Sequence, residues 1–275
     1  MISLSILVPA YNEEATIIEL LSRVAAQKIK GVEFEILVID DGSSDKTVEL
    51  LEENPKLYTK LLKRARNGGK GAAVRAGLSE ATGDYVLFQD ADLEYDPGEY
   101  EKLLKPVLNF DADIVMGSRL VASPCTRVSY FWHKLGNRLI TFTFNVLNNT
   151  TFTDIYSCYL LYRRDLVDPK NLTTDGWEQQ AEILSRAVSK AKVTFEVPIS
   201  YYGRTYDEGK KIKAHHTVAV LWTILIRRFF QLPGWPLRHL RQQDVKPSTS
   251  PLRYDKYTDN FMACHCPAVL ICYFF

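Results

Sequence analysis

Three short apolar runs in the first third of the chain each stop at a proline or at acids, and this limits the fold more than any other feature. Residues 4–9 (Leu-Ser-Ile-Leu-Val-Pro), 34–39 (Phe-Glu-Ile-Leu-Val-Ile) and 85–88 (Tyr-Val-Leu-Phe) read as buried strands. Pro9 ends the first because it has no N–H to give a sheet. Asp40 and Asp41 follow the second run, and Asp90 and Asp92 the third. Between the first two lies a helical pattern with Ile17, Leu20, Leu21 and Val24 on one face. Glu19 and Arg23 are spaced to pair on its wet face, and Asn12 is placed to cap it. Another helical stretch runs through Val48, Leu50 and Leu51. Strand and helix in alternation predict an α/β domain with a mostly parallel, Rossmann-like sheet and right-handed crossovers. Such sheets bind ligands beyond the carboxyl ends of their strands. Pro9, Asp40, Asp41, Asp90 and Asp92 all fall at those ends.

In an extended backbone Asp90 and Asp92 would point the same way and crowd two negative charges. A divalent cation with oxygen ligands relieves that crowding; a strand end with two solvated acids is the plainer alternative. Arg64-Ala65-Arg66-Asn67-Gly68-Gly69-Lys70-Gly71 precedes a helix carrying Ala72, Ala73, Val74, Ala76 and Leu78. Glycines and cations at a helix N-terminus suit an anion, or form a mobile surface turn. The spacing is not that of a P-loop. Residues 113–119 read as a strand ending in Arg119, whose guanidinium suits a phosphate or a surface ion pair.

The second half is less regular. Residues 130–147 are helical and aromatic, suiting either packing on the sheet or a lipid-facing edge. Residues 153–159 lead into a strand, residues 176–184 look helical with Glu178 and Glu182 on one face, and residues 193–199 form a further strand. Residues 217–226 are apolar nearly all round but too short to span a bilayer, which needs about 20 residues. They suit an interfacial helix with Trp222 and Arg227-Arg228 at headgroup level, or a helix packed on the domain. The expected organisation is a catalytic domain over residues 1–213, an amphipathic helical segment over 214–241, and a linker with an apolar tail over 242–275. Cys264-His265-Cys266 in that tail is too tightly spaced for zinc. With 34 basic and 33 acidic residues, no overall field points to nucleic acid. Five scattered cysteines fit a reducing compartment, and the first residues lack the pattern of a secretory signal.

Taken together, Val8-Pro9-Ala10-Tyr11-Asn12-Glu13, Ile39-Asp40-Asp41-Gly42-Ser43, Asn67-Gly68-Gly69-Lys70-Gly71, Asp90-Ala91-Asp92, Gly117-Ser118-Arg119, Thr153-Asp154 and Arg204-Thr205-Tyr206-Asp207-Glu208-Gly209-Lys210 resemble the inverting family 2 glycosyltransferases of GT-A fold, in the group of dolichol-phosphate mannose synthase and related polyprenyl-phosphate sugar transferases. The likeness spans about residues 4–228. It implies that Pro9, Tyr11, Glu13, Ile39 and Asp41 hold the base and ribose of a nucleotide-diphosphate sugar, with Lys70 nearby. It implies Mg²⁺ or Mn²⁺ held with the diphosphate by Asp90 and Asp92, with Ala91 beside them and Glu94 as a further ligand. Arg119, Arg204 and Lys210 would contact the diphosphate or an acceptor phosphate, and Glu182 matches an acidic position of the acceptor helix. Two departures stand out: Cys158 sits where many relatives have glycine, and no full transmembrane hairpin follows the domain.

The expected reaction is single displacement with inversion, moving a hexose from GDP-mannose or UDP-glucose to a polyprenyl phosphate at the cytosolic face of a membrane. A phosphate acceptor has its second pKa near ~6 and needs little help from a base. An acceptor hydroxyl would need one, with Asp154, Glu178 or Glu182 as candidates, while Asp92 through the metal and Arg204 through its charge would assist either reaction. The competing expectations are a transferase acting on a glycan or protein hydroxyl, a nucleotide-binding subunit without turnover, and nucleotidyl transfer. The last would bring a glycine-rich loop after the first strand, which Pro9-Ala10-Tyr11-Asn12 is not.

Overall fold

The computed structural model describes residues 1–122, 127, 131–203 and 216–230. Arg204, Lys210 and the tail over 242–275 lie outside the described residues.

β1 (Ile2–Ala10) is flanked on both sides by parallel partners, β2 (Val32–Asp40) and β4 (Tyr85–Phe88). Leu4, Ile6, Leu7 and Val8 are fully buried. Parallel strands covered on both faces read as unbroken apolar runs for this reason. Beyond β2 lies β3 (Lys60–Lys63), a short strand with a lysine at each end and its two leucines half-buried. The pattern of Lys-Leu-Leu-Lys carries too little apolar signal to be read as a strand, and lysines suit an edge. On the other side β4 meets β6 (Leu160–Arg163), which pairs in turn with β5 (Ile114–Ser118), and β5 with β7 (Thr194–Pro198). The order is β3-β2-β1-β4-β6-β5-β7, and β6 runs antiparallel to both neighbours.

Helices cover the sheet: α1 (Ile17–Ala25), α2 (Thr47–Glu53), α3 (Lys70–Glu80), α4 (Tyr100–Phe110), α5 (Phe131–Asn148), α6 (Gln179–Val188) and α7 (His216–Phe230). α1 buries Ile17, Leu20, Leu21 and Val24, and Glu19 pairs with Arg23 on its exposed side. Asn12 does not cap it. Its backbone is left-handed (φ 52°), and its side-chain oxygen accepts from Ser44 N at 2.8 Å, tying the turn after β1 to the turn after β2. α7 packs on α5 and α6, burying Val220 and Ile224. No helix among the described residues is long and apolar enough to cross a membrane.

The first turn of α3 abuts the backbone of residues 174–175. Gly71 N donates to the Asp175 carbonyl at 2.8 Å, and Gly69, at φ 92°, passes close to the same oxygen. A Cβ on Gly71 would lie 2.7 Å from the Asp175 carbonyl carbon and 2.8 Å from the Thr174 oxygen. We expect Gly71→Ala to lose about 1–3 kcal/mol of stability, the usual cost of overpacking against backbone. A urea midpoint unchanged from the unsubstituted protein would show that the two segments part without cost.

Candidate active site

The carboxyl ends of β1, β2 and β4 open onto a cavity of about 440 Å³. Pro9, Tyr11, Glu13, Asp41, Lys70, Asp90, Ala91, Asp92 and Glu94 line it, as do Ala10, Asn67, Gly69, Ala73, Gly176, Trp177 and Tyr201.

Each wall is fixed by a specific neutralising contact. Asp41, nearly buried, accepts from Gly69 N at 2.9 Å and Gly68 N at 3.1 Å and pairs with Arg64. Two backbone amides and a guanidinium allow a carboxylate to stay charged where water is scarce. Asp40 turns away and accepts from Gly42 N and Ser43 N, closing the turn after β2.

The acidic loop begins after β4 has ended, so Asp90 and Asp92 share the cavity through a bend rather than through strand alternation. Gln89, fully buried, anchors that bend. Its side-chain oxygen accepts from the Tyr100 and Tyr159 hydroxyls at 2.7 and 2.9 Å, and its amide donates to the Asp90 carbonyl at 3.0 Å. Thr16 holds the Ala91 carbonyl at 3.0 Å. Asp92 accepts from Glu94 N at 3.1 Å, and Glu94 accepts from the Tyr201 hydroxyl at 2.8 Å. Lys70, at the start of α3, ion-pairs with Asp90 and lies 5.3 Å from the centroid of the Trp177 ring. Burial opposes the lysine's charge, but the Asp90 carboxylate beside it prevails and raises its pKa.

Carboxylates suit a hard divalent cation. Among the described residues no three acidic, histidine or cysteine side chains converge as a ready-made cage. Asp90, Asp92 and Glu94 offer oxygen donors that would suit such an ion, which would supply charge neutralisation to a bound diphosphate.

Several expected residues stand apart from the cavity lining. Ile39 is fully buried in β2 beneath α3, where Gly77 leaves room for its side chain. Arg119 and Asp154 form a two-pronged pair at 2.6 and 2.9 Å, and the guanidinium lies 4.9 Å from the centroid of the Tyr201 ring. Asn137 of α5 adds a bond to Asp154 at 2.9 Å. Burial pushes the Asp154 carboxyl up, but Arg119 outweighs it and the net direction is down. Glu182 is fully buried in α6. It accepts from Thr173 N, Thr174 N and the Thr174 hydroxyl at 3.1, 3.0 and 2.6 Å, and pairs with Arg186 and Arg227 at 3.1 and 2.7 Å. Burial again works upward, and these hydrogen bonds together with Arg227 bring its pKa below the usual value. Glu182 thus clamps the loop that carries Trp177 and ties it to α7.

Trp177 and Tyr201 were not singled out from the sequence. Tyr201 had a usable signal: it follows β7, which runs parallel to β5, so it emerges near the same end of the sheet. Trp177 had none, because its place depends on the Glu182 clamp and on the Asp175 carbonyl.

Comparison with known proteins identifies a family and a fold. The family model described as Glycosyl transferase family 2 matches residues 5–169. Dolichol-phosphate mannosyltransferase of Pyrococcus furiosus is 31% identical over 209 residues, covering 75% of this chain and 58% of that protein. Undecaprenyl-phosphate 4-deoxy-4-formamido-L-arabinose transferase of Aeromonas hydrophila is 33% identical over 213 residues, covering 75% and 62%. The chain thus spans about three-fifths of the length of these curated relatives. Among solved structures, glucosyl-3-phosphoglycerate synthase of Mycobacterium tuberculosis, with Mn²⁺, UDP and glucosyl-3-phosphoglycerate, superposes with a TM-score of 0.61 at 21% identity, covering 85% of this chain and 82% of that one. Another structure of that synthase holds Mg²⁺ and UDP. The likeness is one of fold, the GT-A fold.

The two depressed carboxyls set an acid limit on stability. A folded pKa below the unfolded value of about 4 gives stability that is present above that value and lost as pH falls through the folded one. Urea unfolding free energy should hold from pH 7 to about pH 5 and drop below about pH 4. Asp154→Asn, starting lower because Arg119 loses its charged partner, should lose less on acidification. Equal losses in both proteins would remove Asp154 as a source of the effect.

Proposed function

The chain belongs to glycosyl transferase family 2, and on that premise we propose that it moves a hexose from a nucleotide-diphosphate sugar, GDP-mannose or UDP-glucose, to a polyprenyl phosphate with inversion at the anomeric carbon. One observation carries the reading: the acids of the 90–94 loop, the lysine of the glycine-bearing turn and the Pro9–Tyr11–Asp41 wall border a single cavity at the carboxyl ends of parallel strands. The base and ribose lie against Pro9, Tyr11, Glu13 and Asp41, and the diphosphate against Lys70, Asp90 and Asp92. Mg²⁺ or Mn²⁺ supplies charge neutralisation to the leaving nucleoside diphosphate. Arg204 and Lys210 are assigned to the diphosphate or the acceptor phosphate. Arg119 is held by Asp154, and the Trp177 loop by Glu182, so these two acids act as positioning groups.

An anionic acceptor fits two of the three candidate carboxyls. Asp154 and Glu182 are hydrogen-bonded, paired with arginine and pushed toward lower pKa, which makes both poor proton acceptors. A phosphate oxygen attacks the anomeric carbon without surrendering a proton; a sugar hydroxyl would have to lose one.

A lipid acceptor also gives a reason for the surface of α5. Phe131, Leu135, Leu139, Phe142 and Val146 recur at helical spacing, and all are exposed, Phe131 and Phe142 by 69% and 66%. Lys134 and Arg138 are exposed next to them, and the helix contains no acid. Trp222 of the adjoining α7 is 64% exposed. An apolar stripe with cations alongside suits the interface of an anionic membrane, and we assign peripheral contact at the cytosolic face to this edge.

Two experiments test the reading. Label from GDP-[¹⁴C]mannose or UDP-[¹⁴C]glucose should enter an organic-extractable product with polyprenyl phosphate and Mg²⁺, and neither EDTA-treated enzyme nor Asp92→Ala should form it. Metal-dependent donor hydrolysis with no lipid label would move the acceptor to a soluble hydroxyl. Replacing Leu139 and Phe142 together with serine should weaken co-sedimentation with phosphatidylglycerol vesicles by about tenfold or more, since each apolar side chain is worth up to ~1.5–3 kcal/mol when buried. Undiminished vesicle binding would take α5 out of the membrane contact.

A further inference from the structure

The acid loop already has a cation of its own. The Lys70 ammonium ion-pairs with Asp90, one of the acids of the loop assigned to the metal. Both partners are mostly shielded, with side-chain exposures of 22% and 24%, and the Trp177 ring lies alongside the ammonium. A divalent ion approaching Asp90 competes with this lysine for the charge of one carboxylate, and among the described residues no third ligand of a cage converges there to favour the ion. Mg²⁺ in addition parts with its water reluctantly.

A diphosphate changes both sides of that balance. It offers the metal further oxygens, and it offers the displaced ammonium a new anionic partner. Lysine suits such an exchange, being a compact point charge on a flexible four-carbon stem whose donors can be redirected. α3 presents Lys70 in its first turn, next to the Gly68 and Gly69 amides that hold Asp41.

We propose that Lys70 is a resident stand-in for the divalent cation: it occupies Asp90 in the donor-free protein, opposes entry of a metal ion alone, and passes to the diphosphate when nucleotide and metal bind together. The proposal rests on the donor site described above and adds an order to its filling. Metal and nucleotide are then coupled ligands, and each must tighten the other by the same factor.

The test is Mn²⁺ binding to the full chain, followed by the electron paramagnetic resonance signal of free Mn²⁺, with no nucleotide and with GDP or UDP. The unsubstituted protein should bind Mn²⁺ weakly alone and about tenfold or more tightly with one of the nucleotides, within the usual range of coupling between sites. Lys70→Met should bind Mn²⁺ alone about tenfold or more tightly than the unsubstituted protein and show a smaller nucleotide effect. Lys70→Arg, which keeps the charge, should resemble the unsubstituted protein and controls for the fold of α3. If nucleotide draws Mn²⁺ into the unsubstituted protein but Lys70→Met gains nothing in its absence, the stand-in role is overturned and the donor site stands. If neither nucleotide draws Mn²⁺ into the unsubstituted protein, the donor site falls with it.

Discussion

Negative charge gathered at one end of a sheet must be neutralised before anything else can be built there. The parallel arrangement of β1, β2 and β4 delivers Asp40, Asp41, Asp90 and Asp92 to a common edge. The fold answers in two ways. Asp41 is met by backbone amides and Arg64, and Asp154 and Glu182 by arginines and a further set of amide and side-chain donors, all within packed surroundings. Breaking any of these would strand a buried charge, which is a severe cost. Asp90 is met instead by the flexible Lys70 at a partly open position. The permanent pairs shape the cavity, and the exchangeable one is the place where ligand chemistry can enter.

The second consequence of this electrostatic scheme is mechanical. Glu182 gathers Thr173, Thr174, Arg186 and Arg227, and so joins α6, α7 and the loop that carries Trp177. The same loop gives its Asp175 carbonyl to the first turn of α3, where Lys70 resides. An apolar edge on α5 and α7 is thereby connected, by contacts rather than by proximity alone, to the wall of the cavity.

Much of the sheet was legible because buried parallel strands are written as short apolar runs, and because helices such as α1 carry a clean apolar face. Asp90 and Asp92 draw attention for the same reason, since they come just after such a run, and Lys70 draws it because glycines precede it at the start of a helix. What could not be read is set by distant contacts. β3 has only two apolar residues and exists because Val38 and Ile39 of β2 offer it a partner. Asn12 looked like a helix cap and instead bridges two turns, since Ser44 N is an equally good donor 32 residues away. Arg119 suited a phosphate or an ion pair, and only the tertiary structure shows Asp154 as its partner.

The position of β6 has a bearing on how the chain comes into being. It lies between β4 and β5 in the sheet but follows both in the sequence. As the polypeptide emerges, β1 to β4 can assemble by successive parallel crossovers, while β4 keeps a bare outer edge lined by Val86 and Leu87. β5 meanwhile has no finished neighbour. Only when residues 160–163 appear does one antiparallel strand close the first half and seat the second. A bare apolar edge invites the wrong partner. The half of the protein built from β1 to β4 is therefore the older half in each molecule's own history, and its vulnerable interval lasts until β6 is made.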